Sequence, residues 1–294
     1  SLSRAKKIIR KSKTVSKYNM KASLIISIYK NITDLKVVLD ALNEQTEKDF
    51  EIIISEDGSS TDVAAFINNY KSPYKITHLS QIDEGWRKNQ ALNKAVLAAQ
   101  SEYLIFIDGD CVLHHRFIEN HLRLSNPKGI VAGKRIKLGP KSSKELLKKK
   151  LLQFEKEIIW KLPSLFRDHS AFVEEGIFIN HKSIFNFIPK RRKMKMLKGC
   201  NFSCYKSAMI AINGFDEDYQ KPAIGEDIDL TWRFKGLGYH LISARNYAVQ
   251  YHLHHKENWT SQEENIALMN IKQAQNAYVC ANGLKKIKTA SEIL

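Results

Sequence analysis

The sequence predicts an α/β fold with a central, mostly parallel sheet flanked by helices. Two observations predict it. Short apolar runs of strand character alternate with segments of helical period across residues 22–110, the pattern of βαβ units. Each of the main runs is followed by a polar cluster, at residues 29–31, 56–57, 85–89 and 108–110. Right-handed crossovers place the C-terminal ends of parallel strands on one rim. The clusters should therefore converge on one cleft, where open α/β sheets bind ligands.

Residues 22–29 read as the first strand, and Asn31 or Thr33 caps a helix through Leu35, Val38, Leu39 and Leu42. Residues 50–55 form a second strand, and the polar turn at 56–62 starts another helix. Residues 76–79 are a short third strand, and residues 85–89 open a helix through Leu92, Ala95, Val96 and Ala99. The run at 103–110 comes next, and its apolar residues end in two carboxylates, Asp108 and Asp110, separated by Gly109. Two acids at a strand end cost desolvation and repel each other unless a positive charge lies between them. Mg²⁺ or Mn²⁺, which favour oxygen ligands and substrate phosphates, would supply that charge. Gly109 permits a sharp turn and a close approach to a ligand. A strand followed by a plain Asp-Gly turn is the simpler alternative.

Beyond Asp110 the pattern changes. Residues 117–124 look helical and 129–136 look like a strand. Residues 141–162 read as one Lys-rich amphipathic helix, and 163–198 carry Pro163, Pro189 and the basic run at 190–193. A helix packed on the sheet and a surface facing membrane or acceptor both fit this segment. Residues 199–255 form a second organised region, and 256–294 read as a helical tail with a basic end. The expected organisation is a basic arm over 1–21, one domain over 22–255 and that tail. The domain divides into halves at 22–136 and 199–255 around the excursion 137–198.

The bulk composition narrows the function. With 294 residues and 43% hydrophobic content, the chain can bury a substantial core. Its net charge of +16 points to an acidic partner such as nucleotide phosphates, an anionic membrane surface or nucleic acid. The basic residues cluster at the ends and in 137–198, while acids occupy the strand ends. A phosphate backbone would be repelled there, which argues against nucleic acid. No apolar run approaches the roughly 18 residues of a membrane span, and the basic N-terminus does not resemble a secretory signal. A cytoplasmic protein is expected, with a peripheral position on the inner face of the membrane left open. Four cysteines are read as reduced thiols, with zinc a lesser alternative for Cys200 and Cys204.

In their order, the blocks at 23–29, 50–62, 85–110, 199–201, 214–217 and 225–233 resemble the inverting family 2 glycosyltransferases of the GT-A fold. The second half is similar to the galactosyltransferase and chondroitin-polymerase branch. The resemblance covers roughly residues 22–255 and leaves the ends and 137–198 unmatched. It implies a metal-dependent enzyme that moves a sugar from a UDP-sugar to a hydroxyl of a glycan or lipid-linked acceptor, in bacterial surface polysaccharide synthesis. Tyr29, Glu56, Asp57 and Arg87 would contact the nucleotide, with Asp57 on the uracil ring. Asp108 and Asp110 match a DxD motif, with Asp110 on the metal and Asp108 on ribose or metal-bound water. Gly199 and Asn201 would lie against the donor sugar. Asp227 is the candidate base and Glu226 its hydrogen-bonding neighbour; a helix cap is the simpler role for Asp227. Asp229 and Arg233 are expected to form a salt bridge. His252 would be the third metal ligand, with His254 and His255 as alternatives. Trp86, Trp232 and Trp259 offer either sugar-stacking faces or core packing. A nucleotidyltransferase would also use the acid pair, yet it leaves Gly225-Glu226-Asp227 followed by His252 without a role.

Overall fold

Four strands pair in parallel where the alternation of apolar runs and helices predicts them. The structure, a computed structural model, describes residues 20–256 and 261–286. The expected arm lies outside these residues except for its last two positions, and so does Trp259. The first half runs β1 (Ala22–Ile28), α1 (Ile32–Leu42), β2 (Phe50–Glu56), α2 (Thr61–Asn69), β3 (Ile76–Leu79), α3 (Lys88–Ala98) and β4 (Tyr103–Asp108). Asn31 caps α1 by accepting from the Asp34 N–H, and Ser60 caps α2 in the same way through Val63. Strands β3, β2, β1 and β4 lie side by side and parallel.

The chain continues through β5 (Cys111–Leu113), α4 (Phe117–Arg123), β6 (Gly129–Ala132), β7 (Ile136–Lys137), α5 (Pro140–Lys148), α6 (Leu151–Glu157), α7 (Leu162–Arg167), α8 (Phe187–Arg191), β8 (Asn201–Tyr205), α9 (Lys206–Ala211), α10 (Asp229–Gly236), β9 (His240–Ser243), β10 (Gln250–His252) and α11 (Glu263–Ala274). Strand β8 inserts antiparallel between β4 and β6, which completes a seven-stranded sheet in the order β3-β2-β1-β4-β8-β6-β9. A small second sheet, β5-β10-β7, pairs His252 with Cys111. That register brings a residue from late in the chain beside the turn after β4.

Side-chain alternation along β4 divides the core in two. Tyr103, Ile105 and Ile107 face one apolar cluster, and Leu104 and Phe106 face the other. Phe106 stacks on Phe202 of β8 at 4.4 Å and meets Phe215 edge-on at 5.5 Å. These contacts fasten the two halves together across β4 and β8.

Three expected elements differ from the structure. The single helix over 141–162 breaks at Lys149 and Lys150, whose backbones are extended. Leu146, Leu151, Phe154 and Ile158 are all buried. On one straight helix Leu146 and Leu151 would sit ~140° apart around the axis, so the break lets both reach the core. Lys149 and Lys161 each pair with Glu145 and Glu157 across the break. The strand over 129–136 divides into β6 and β7, which join different sheets. The helix of the tail ends at Ala274, after which the Asn213 side-chain amide donates to the carbonyls of Cys280 and Lys285.

Candidate active site

The C-terminal ends of β1, β2 and β4 open into a cleft of about 700 Å³, lined in part by Tyr29, Asp57, Lys88, Asp108, Asp110 and His255. On the β2 side the Asp57 carboxylate accepts from the Gln81 side chain and the Arg87 backbone N–H, both at 2.8 Å. It thereby ties the loop before α3 to the end of β2. Tyr29 is exposed at the rim and donates its hydroxyl to Asp83 at 3.1 Å.

The turn after β4 requires Gly109. A Cβ there would lie 2.4 Å from the Ile28 side chain, and the Gly109 N–H donates to the Ser27 carbonyl at 2.8 Å. The two flanking acids have different surroundings. Asp108 accepts from Lys88 at 2.9 Å and lies 3.6 Å from Arg135. Lys88 also pairs with Glu226 from the second half. Burial alone would lower the Lys88 pKa, but Asp108 and Glu226 hold it well above the usual lysine range. Glu226 is shifted upward by burial, with Asp108 and Asp227 nearby; Lys88 opposes that shift.

Asp110 faces two imidazoles. Its Oδ2 lies 3.3 Å from His252 Nε2 and 3.1 Å from His255 Nε2, and the two ring nitrogens are 3.3 Å apart. Burial pushes the Asp110 carboxyl up, yet the two histidines bring it well below the usual carboxylate range. Contact with Asp110 lifts His255 to about 9. One oxygen and two nitrogens converging this closely fit a divalent ion such as Mn²⁺. His254 is exposed, and its backbone N–H donates to Ser143.

Asp227 sits in a π-helical turn, Ile224–Ile228, that leads into α10. Such turns recur at functional sites. Ala223 enters the turn at φ 87°, a strained conformation for a residue other than glycine. The Asp227 carboxylate accepts from the Gly199 N–H and pairs with Lys198 at 3.0 Å. Thr231 braces the turn, donating to the Asp227 carbonyl at 2.8 Å and accepting from the Leu197 N–H at 3.1 Å.

Behind the turn, Asp229 and Arg233 form the expected salt bridge, at 2.6 Å and fully buried. Arg233 also donates to the carbonyls of Ile212 and Gly214, both at 2.9 Å. Removing one partner leaves a buried, unpaired charge, so Asp229→Ala should cost about 3–5 kcal/mol of stability. Chemical denaturation checks this, and a change under about 1 kcal/mol would refute the anchoring role.

Of the residues singled out in the sequence, Tyr29, Asp57, Asp108 and Asp110 line one cleft, and Glu226 reaches Asp108 through Lys88. His252 meets Asp110, and Gly199 meets Asp227. Three others are placed elsewhere. Glu56 is fully buried, pairs with His78 at 2.8 Å and accepts from the Ser60 N–H at 3.1 Å, so its carboxylate is engaged away from the cleft. The Arg87 guanidinium pairs with neighbouring Glu84 at 2.6 Å, and only its backbone reaches Asp57. Asn201 is fully buried; its amide donates to the carbonyls of Lys134 and Ala248 and accepts from His121, so it joins strands rather than facing a sugar. The sequence reading missed Lys88 and Arg135. Lys88 stands at the helix start after β3, where a cation can reach the end of β4; Arg135 carries no comparable local signal.

The sheet order and the cleft at its strand ends are those of the GT-A fold. The family model for glycosyl transferase family 2 matches residues 23–189, and the chain belongs to that family. It is 23% identical over 240 residues to the chondroitin synthase of Escherichia coli, covering 78% of this chain and 34% of that protein. The mannosyltransferase PcManGT of Pyrobaculum calidifontis, solved with GDP-Man and Mn²⁺, superimposes with a TM-score of 0.54 at 15% identity, covering 89% of this chain and 65% of that one. GalNAc-T7, solved with UDP, GalNAc and Mn²⁺, gives a TM-score of 0.54 at 12% identity, covering 83% and 46%. The chain thus spans about a third of the length of the chondroitin synthase.

Proposed function

We propose that the chain is an inverting transferase that moves a sugar from a UDP-sugar to a hydroxyl of a glycan or lipid-linked acceptor, in the synthesis of a surface polysaccharide. The convergence of Asp110, His252 and His255 beside Asp57 and Tyr29 carries this reading. Residues 22–255 are taken as the catalytic unit, 137–198 as its acceptor-side excursion and 256–294 as a tail. Relatives support the glycan acceptor, since similar proteins include a chondroitin synthase and a hyaluronan synthase. GalNAc-T7 was solved with UDP and PcManGT with GDP-Man, each with Mn²⁺, which supports a nucleotide-sugar donor and the ion.

Each group then has one task. Asp57 orients the base, while Tyr29 lies at the nucleoside side of the cleft. Asp110, His252 and His255 would hold Mn²⁺ or Mg²⁺; two nitrogen donors favour Mn²⁺. An ion held there would supply positive charge to offset that developing on a departing diphosphate. Lys88 keeps Asp108 and Glu226 together across the two halves. Asp227 takes the proton from the acceptor hydroxyl as its oxygen bonds to the anomeric carbon. The bond from that carbon to the UDP oxygen breaks, and its electron pair leaves with UDP. Gly199 and Lys198 fix the direction of the Asp227 carboxylate.

The thermal midpoint tests this reading, measured with UDP, GDP and CDP, each with and without Mn²⁺. A hundredfold excess over Kd stabilises the native state by about 2.7 kcal/mol. A shift with UDP that requires Mn²⁺ is expected. A shift with GDP instead would change the donor class, and no shift with any nucleotide in folded protein would overturn the site.

A further inference from the structure

Residues 137–198 carry 16 lysines and arginines against six acids, which is +10 of the chain's +16. Within them one short surface combines charge with exposed apolar side chains. Ile184, Phe185, Phe187 and Ile188 are 85%, 55%, 50% and 37% exposed, on a 3₁₀ turn that runs into α8. Pro189 in the same helix is buried, and the Asn186 side chain accepts from the Tyr247 hydroxyl, so the turn is fastened to the fold while its large side chains stay exposed. Lys182, Lys190, Arg191 and Lys193 surround them and are exposed. Between residues 177 and 198 there are seven lysines and arginines and no acid. Arg191 lies over the Phe187 ring at 5.6 Å.

We propose that residues 182–193 form a docking knob for an anionic phospholipid bilayer. Four large apolar side chains grouped in five residues exceed the scattered exposure usual on a soluble surface. Basic side chains around an apolar centre match the layering of an anionic membrane, with phosphates outside and acyl chains ~5–10 Å below. Two other occupants fit less well. Residues 1–19 carry seven lysines and arginines and no acid, so they share the sign of the knob. A second copy of the chain would oppose two identical cationic surfaces. The knob also stands apart from the chemistry. Strand β10 runs from Gln250 to His252 at the cleft, and Tyr247, which holds Asn186, precedes its far end.

Co-sedimentation of the full chain with vesicles tests the proposal, using 3:1 phosphatidylcholine:phosphatidylglycerol and pure phosphatidylcholine. The wild type should bind the anionic vesicles, release at high salt and bind pure phosphatidylcholine weakly. The double variants Ile184→Ser/Phe185→Ser and Lys190→Glu/Arg191→Glu should each bind at least tenfold less, with unchanged thermal midpoints. Lys148→Glu/Lys150→Glu, elsewhere in the basic segment, should lose less than either. Wild-type binding by both knob variants would overturn the proposal, as would loss in the charge variant alone, because apolar insertion would then contribute nothing. Concentration-dependent dimerisation abolished by Ile184→Ser/Phe185→Ser would assign the knob to a second copy instead. Retention on an anionic glycan but not on anionic vesicles would overturn the lipid assignment.

Discussion

Asp227→Asn should reduce sugar transfer by ~10²–10⁴-fold, the usual contribution of a general base, while the UDP-dependent shift in thermal midpoint is retained. The geometry makes the substitution a clean one. Asparagine can keep an oxygen toward the Gly199 N–H, where the carboxylate now accepts. Its amide would then face Lys198, whose side chain is 42% exposed and free to turn into water. The turn itself is braced by Thr231 and by the Asp229–Arg233 pair, none of which the change touches. Stability should therefore change little, in contrast to Asp229→Ala two residues away. Initial rates at saturating donor and acceptor provide the measurement. Undiminished transfer would remove Asp227 as the base and leave Glu226 as the carboxylate to test next.

Much of this site was legible because its parts lie at strand ends. Alternation of strand and helix predicts β1 to β4 in parallel, and parallel strands carry their polar endings to one rim. Tyr29, Asp57, Asp108 and Asp110 follow from that rule alone. The roles of Glu56 and Asn201 did not, because adjacent strand residues point to opposite faces. Asp57 reaches the cleft, whereas Glu56 turns inward to His78 and the start of α2. Asn201 begins a strand buried between two others, so its amide is consumed by neighbouring carbonyls. Lys88 and Arg135 escaped for another reason. Each acts on Asp108 from 20 or more residues away in sequence, and no local period reports such a pairing. The break at Lys149 and Lys150 was hidden because residues on both sides of it have good helical period, and only burial of both faces reveals it.

Asp110→Ala should abolish the Mn²⁺-dependent part of the UDP shift and lower transfer by about three orders of magnitude, since charge stabilisation of this kind supplies several kcal/mol and each 1.36 kcal/mol is tenfold in rate. The carboxylate is the one anionic member of the cluster it forms with His252 and His255. Without it two imidazoles remain, which suit zinc or copper better than manganese or magnesium. The two histidines should not contribute equally. His252 is buried on β10, held by pairing with β5, whereas His255 lies beyond the strand and is 42% exposed. A ligand fixed by a sheet loses less freedom on binding than one on an exposed segment. His252→Ala is therefore expected to weaken Mn²⁺ more than His255→Ala, and His254→Ala to leave it unchanged. Titration of Mn²⁺ into each variant in the presence of UDP measures the order directly. An Asp110→Ala protein that still shows the full Mn²⁺-dependent shift would place the ion elsewhere and reduce the three residues to an ion-paired cluster at the end of β4.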